Sequence, residues 1–282
     1  MSVRIARAAA WGVVPAELAL VACLTAGVRI PVAVLLGVEV LVLAVLVVEG
    51  VTLWPLYAAG RRAGAGRREA LRAALRTLVP VTVRRLVAHE VRALHSLGLW
   101  VLRRRHGVPE GALAVPYTGP QTAMMYGLVF VSVVETVTLA LVIPWPFVHH
   151  ALLVIDVYGV VLLLALHAAC VTRPHVVGED GSLRIRYGGL FDLRVPASSV
   201  ATARVERRCT DGRLLQLHAN EALELAVGNL TTVTVEFTGP VTFVRPLGKR
   251  GSARTVRFHA DDPRAVVAAL TQQPTAPPPR IM

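Results

Sequence analysis

Four stretches of this chain, residues 11–28, 32–56, 122–143 and 148–171, consist almost entirely of apolar side chains. A helix needs about 20 mostly apolar residues to cross the hydrocarbon of a bilayer. The pattern therefore predicts four membrane-spanning helices. The first stretch is the shortest and carries Pro15 and Glu17. Arg4 and Arg7 precede it, as in a signal peptide, but Glu17 interrupts the apolar core and no small-x-small cleavage site follows. Of the 282 residues 54% are hydrophobic, more than an ordinary soluble domain carries.

The charges orient these stretches. Net charge is +12, carried by arginine with Lys249 as the single lysine, a bias that a GC-rich coding sequence partly explains. Between the second and third stretches, arginines from Arg61 to Arg105 face only Glu69, Glu90 and Glu110. Basic loops stay in the cytoplasm. The opposite loops, near Arg29 and around residues 144–150, are short, so both termini are expected in the cytoplasm. Trp54, Tyr57, Tyr126 and Trp145 lie near the ends of the stretches, where amphipathic rings favour the interface. The isolated Cys23, Cys170 and Cys209 form neither a disulfide framework nor a paired metal motif.

Residues 67–106 read as helix broken at Pro80, which cannot continue a helical ladder. After Val81, Leu86, Glu90, Leu94, Leu97 and Val101 share one face at helical spacing. The other side carries Arg84, Arg85, Arg92 and His95, with Arg103, Arg104 and Arg105 following. These six arginines are the expected contacts with anionic headgroups. Glu90, on the apolar stripe, is expected to pair with an arginine. Nucleic acid is not an expected partner, because the interleaved aromatics of a stacking surface are missing. The segment "HEVRALH" has Ala93 where a zinc-protease helix needs its second histidine, and "GAGRREA" lacks the Lys-Ser/Thr of a phosphate loop. The "NLT" at Asn229 matches a glycosylation acceptor only in spelling, since it falls on the cytoplasmic side.

Beyond Arg173-Pro174 the period changes. In "SLRIRYGGLFDLRVP", Leu183, Ile185 and Tyr187 alternate with Arg184 and Arg186, Gly188-Gly189 turn the chain, and Phe191, Leu193 and Val195 resume the alternation. This is a β-hairpin pattern. Further strands are expected near 200–208, 213–218, 221–227, 230–237, 241–245 and 254–259. A helix is expected after "HADDP", capped by Asp261 or Asp262 with Pro263 in its first turn. Residues 272–282 form a Pro-rich tail.

The order of elements from Leu183 onward, hairpin, "SSVATARV", more strands and one closing helix, resembles the bacterial pleckstrin-homology-like (PH-like) domains attached to membrane spans. The likeness covers about residues 175–271 and rests on order and period. The whole chain, with "HEVRALHSLGLWVLRRRHG", "MMYGLVFVSVVETV" and "VRFHADD", resembles uncharacterised multi-pass membrane proteins of high-GC bacteria. That resemblance implies no activity.

Within the apolar stretches stand Glu39, Glu135 and Asp156. At 1.5 Å per residue they lie about 11–13 Å from the outer surface, on three helices at one level. His149 is seven residues from Asp156, on the same helical face. A charge at mid-bilayer costs about 2.5–3.5 kcal/mol. Three readings stand side by side: protonated acids joining helices, a proton or cation pathway, and a metal site formed by Glu39, Glu135, Asp156 and His149.

The fold expected is α+β: a four-helix transmembrane bundle plus a C-terminal antiparallel β-domain, a PH-like barrel or sandwich closed by one helix. The boundaries are 1–59 for a first transmembrane hairpin, 60–118 for a basic helical segment, 119–172 for a second hairpin, 173–271 for the β-domain and 272–282 for the tail. The β-domain fragment 175–271 is expected to fold alone. The function expected is a non-enzymatic anchor or scaffold in the cytoplasmic membrane. Its partners would be the bilayer, anionic lipid headgroups, another membrane protein or a second copy of itself. No Ser/His/Asp arrangement recommends nucleophilic catalysis, and no cofactor is implied.

Overall fold

The structure, a computed structural model, describes residues 31–79, 81–210 and 213–271. The predicted stretch 11–28 and the Pro-rich tail lie outside the described residues. The chain divides into two compact units, one running to Arg84 and including Val137–Ile155, the other comprising Arg85–Thr136 and the chain from Asp156 onward.

In the first unit, helix α1 (Val32–Arg62) contains the predicted stretch 32–56. Arg61 and Arg62 occupy its last turn, where the dipole favours cations. Its end is a Schellman motif: Gly64 N–H donates to Arg61 O, Ala65 N–H donates to Gly60 O, and Gly64 takes φ +85°. Helix α2 (Arg67–Leu78) folds back so that a Cβ on Gly60 would lie 3.1 Å from Ala70 Cβ. The predicted break follows: Val79 is extended and α3 (Val81–Val101) begins two residues later. Pro80 itself lies outside the described residues.

The second unit holds the sheets, a short C-terminal helix and most of three longer helices. Helices α4 (Gly119–Val142) and α5 (Pro146–Thr172) match the last two predicted stretches. Gly119–Val142 and Val148–Thr172 are long and apolar enough to cross a membrane. On α4, Phe130 is 68% exposed.

The fold is mixed helix and sheet, with two sheets, neither closed. The first has the order β1 (Leu113–Val115), β2 (His175–Val177), β3 (Leu183–Tyr187), β4 (Phe191–Val195), all antiparallel. The second has the order β5 (Val200–Cys209), β8 (Leu230–Val244), β9 (Arg250–Phe258), β7 (Ala222–Leu225), β6 (Leu215–Leu217). Its β7–β9 pair is parallel and the rest antiparallel. Leu183, Ile185, Phe191 and Leu193 from one sheet share a core with Leu223, Val233, Val235 and Phe258 from the other, and Val266 and Leu270 of α6 (Pro263–Thr271) join it.

The β3–β4 hairpin follows the predicted alternation, strictly so in β4. Gly188 takes φ +48° in its turn, and a Cβ there would lie 3.3 Å from Cys170 Sγ. The two strands expected at 230–237 and 241–245 are one strand, β8. Pro240, which has no N–H to give the ladder, sits in a register shift between Glu236 and Val241. The expected boundary at 173 needs correction. Strand β1, placed in the basic segment by sequence, pairs with β2 through Leu113↔Val177, Ala114↔Val176 and Val115↔His175. The β-domain thus takes chain from both sides of the α4–α5 pair.

Candidate functional site

Helix α3 docks on the β-domain with the face opposite to the apolar stripe. Ala93 and Ser96 are buried, while Leu86, Val87 and Val91 are exposed. The polar face suits β-turns, whose carbonyls lack ladder partners. The His89 ring sits between two of them, Nδ1 2.9 Å from Gly189 O and Nε2 3.0 Å from Pro246 O. Arg92 Nη1 also donates to Gly189 O, and a Cβ on Gly189 would lie 3.1 Å from Arg92 Cβ. The Arg85 guanidinium packs on Gly248 in the β8–β9 turn, where a Cβ would come within 2.9 Å of it. Arg85 and Arg92, expected at the membrane surface, both touch turns of the β-domain, Arg85 half-buried and Arg92 exposed. Arg84 is half-buried. Glu90 accepts a hydrogen bond from the Tyr158 hydroxyl rather than from an arginine.

The chain on either side of the helical pair is bonded into the β-domain. Pro116 O accepts from Asp261 N–H (2.9 Å), and the Tyr117 hydroxyl accepts from Gly188 N–H (2.8 Å). Gly119 N–H, at the start of α4, donates to Asp261 Oδ1 (3.1 Å). Gln121 Oε1 accepts from the Tyr187 hydroxyl (2.9 Å). Asp262 caps α6 through Ala265 N–H (3.0 Å). The two adjacent aspartates thus serve two different helices.

Beneath Tyr117, stacked at 4.4 Å, lies fully buried His175. Its Nδ1 accepts from the Arg186 backbone N–H (3.0 Å), which leaves Nε2 to donate to His259 O (3.0 Å). The geometry fixes the neutral Nε2–H tautomer. Burial agrees, lowering the ring's pKa to about 3. Burial likewise raises the phenol of Tyr117 well above its ordinary value.

Alternation placed Arg186 on the open side of β3 with Arg184, yet it is only 1% exposed. Its Nε donates to Pro174 O and its Nη1 to His106 O, each at 2.8 Å, while Nη2 is buried without a partner. Burial, then the neighbouring Arg184, lowers its pKa to about 10, so it remains charged at neutral pH. Asp192 is held at 2.8 and 2.6 Å by Arg184. Arg173 bonds to Ser96 Oγ, and burial together with the Arg92 and Arg184 charges lowers its pKa. Burial and the same guanidinium cluster lower that of His106. The region carries an excess of positive charge.

Next to it opens a cavity of about 540 Å³. One wall is Trp100–Val101 with Arg103, Arg104 and Arg105, the second is Pro116–Thr118 before α4, and the third is Cys170–Thr172 with Pro174 at the end of α5. The three arginine side chains are exposed and have no ion-pair or hydrogen-bond partner among the described residues. Charge alone singled them out in the sequence. Trp100, Tyr117 and Thr172 carried no signal of being their neighbours, because the walls come from three separated segments.

No protein-family model, curated protein or solved structure matches this chain.

The carboxylates give a sparser picture. Glu135 is exposed and Asp156 is half-buried, with Oδ2 shielded and unpartnered. Glu39 lies on α1 and His149 near the start of α5, both in the first unit. Among the described residues no group of three His, Cys, Asp or Glu side chains is placed to hold a metal ion.

Proposed function

We propose that this protein is a non-enzymatic integral membrane protein of the bacterial cytoplasmic membrane. It holds a PH-like β-domain against the cytoplasmic face, where the domain meets lipid headgroups or a membrane-protein partner. The observation that carries this reading is the missing linker. Strand β1 ends three residues before α4, and β2 begins two residues after α5. Both junctions are hydrogen-bonded into the sheets. A domain joined in this way has a fixed height and orientation at the bilayer, as a scaffold needs and a tethered domain lacks. The exposed apolar surface of α4 supports burial in lipid, since exposed apolar surface of this extent marks an interaction site. The arginine-rich segment supports a cytoplasmic orientation. Two facing sheets and a closing helix support the PH-like reading of the domain.

The test is fractionation of the full chain expressed in a bacterial host. The expected result is retention in the membrane after an alkaline carbonate wash, with a tag after Met282 accessible to protease only in inverted vesicles. Release by carbonate, or cleavage of the tag from the outside, would overturn the proposal.

A further inference from the structure

We propose that the cavity walled by Trp100–Arg105, Pro116–Thr118 and Cys170–Pro174 is a specific site for the phosphate of an anionic lipid headgroup. This deepens the membrane reading above and rests on it.

The first argument is charge. Arg103, Arg104 and Arg105 reach the cavity with no acidic partner among the described residues. Behind them Arg173 and buried Arg186 carry two more guanidiniums, while Arg184 occupies Asp192. Guanidinium forks match phosphate oxygens in geometry as well as charge.

The second argument is backbone conformation. Helix α3 ends in the same motif as α1: Arg103 N–H donates to Trp100 O and Arg104 N–H to Leu99 O. In α1 the left-handed position belongs to Gly64; in α3 it belongs to Arg103, at φ +53°. A side chain at that position is disfavoured relative to glycine. Strain of this sort gathers at binding sites. Here it turns the chain so that three consecutive arginines wall one cavity.

The third argument is place and size. Two walls are the chain ends of the helices that can cross a membrane, which puts the cavity at headgroup depth. Its volume of about 540 Å³ falls within the range of roughly 300–1,000 Å³ typical of small-ligand sites. Trp100, Val101 and Val171 offer an apolar side for the glycerol and first acyl carbons. Arg186 is a positioning residue, because its bonds to His106 O, next in the chain after the arginine wall, and to Pro174 O hold those two segments together. A free phosphate ion would use the arginines but not the apolar side, so the lipid is the better fit.

The experiment uses the full chain, delipidated in a neutral detergent, with native mass spectrometry and thermal melting as readouts. The probes are dioctanoyl phosphatidic acid, dioctanoyl phosphatidylglycerol, dioctanoyl phosphatidylcholine and inorganic phosphate. The two anionic lipids should bind and raise the melting temperature, with phosphatidylcholine and inorganic phosphate much weaker. Arg103→Gly should melt higher than wild type without lipid and bind the anionic lipids about tenfold more weakly. The double variant Arg104→Gln/Arg105→Gln should lose at least as much binding, and Arg250→Gln, an exposed arginine on β9, should lose none. Equal weakening by Arg250→Gln would mean diffuse attraction and overturn the pocket. Inorganic phosphate binding as tightly as the lipids would overturn the lipid assignment. Both outcomes leave the carbonate and protease results untouched, so failure of the site and failure of the membrane reading are distinguishable.

Discussion

The junction between the helices and the β-domain and the outer surface of the helices follow opposite rules. At the junction polar groups meet within the protein: His89 on two turn carbonyls, His175 beneath Tyr117, and Arg186 on two carbonyls. On the helices large apolar groups stand exposed: Val91 is 59% exposed and Phe130 68%. A water-soluble protein has the reverse arrangement. Exposed apolar surface of this extent marks an interaction site, in keeping with the lipid contact proposed for these helices.

The comparison is broken most completely by removing one side of the junction. A fragment of residues 175–271 lacks β1 and Tyr117, leaving β2 as a bare edge and uncovering His175. We expect no cooperative melting in circular dichroism, and restoration when residues 107–118 are fused to it. Independent folding of the bare fragment would show the junction to be dispensable. Next in size is Arg186→Met. It strands the Pro174 and His106 carbonyls at about 1–3 kcal/mol each while removing a buried charge, and the expected net loss is about 2 kcal/mol by denaturation in detergent. A gain in stability would show that desolvation outweighs the two hydrogen bonds.

A matched pair on α3 compares the two surfaces directly. Ala93 is 1% exposed, and Ala93→Leu should cost about 1–3 kcal/mol through overpacking against the β-domain. Two residues earlier, Val91→Ala should stay within about 0.5 kcal/mol under the same conditions. Reversal of that order would mean that α3 docks by its apolar stripe after all.

Acid gives a graded version. Folded His175 stays neutral to about pH 3, while in the unfolded chain it titrates near 6.5. The unfolded state takes up the proton first. The stability due to this group is therefore complete above pH 6.5 and is lost as pH falls towards 3, at about 1.4 kcal/mol per unit. His175→Asn should flatten that limb of the stability–pH curve, and an unchanged slope would assign it to other groups. The smallest effect is expected away from the junction. Arg204, on β5, bonds to Glu236 at the surface, and Arg204→Ala should cost less than about 1 kcal/mol in the same denaturation assay.

Much of this was legible from local pattern. The helices over residues 32–56, 122–142 and 148–171 follow from the length of their apolar runs, and the break beside Pro80, the β3–β4 hairpin and the Asp262 cap follow from proline, alternation and capping chemistry within a few residues. Strand β1 was not legible, because three residues carry no period and their partner lies beyond two helices. The spacing in α3 marks its two faces, and the structure puts His89 and Ser96 of the polar face against the β-domain and Arg173 at its entry. Periodicity reveals that a helix has two sides, not which one the protein touches. Alternation failed at Arg186 because the side chain lies under residues 106 and 174, so the open face of β3 is covered there. At the cavity, Arg103–Arg105 stand out by charge, whereas the left-handed turn at Arg103 has no sequence signal, because glycine is the residue that marks such a turn.

Strands β1 and β2 neighbour each other only after the chain has made α4 and α5 and returned. A nascent chain that carried one of those helices across the bilayer and left the other behind would strand the two β-segments in different compartments. The first sheet then could not be completed. If α4 and α5 cross the bilayer together as proposed, the pairing of Leu113 with Val177 would act as a checkpoint on insertion: a correctly threaded hairpin would seal the β-domain, and a misthreaded one would display an open sheet edge to the cell's proteases.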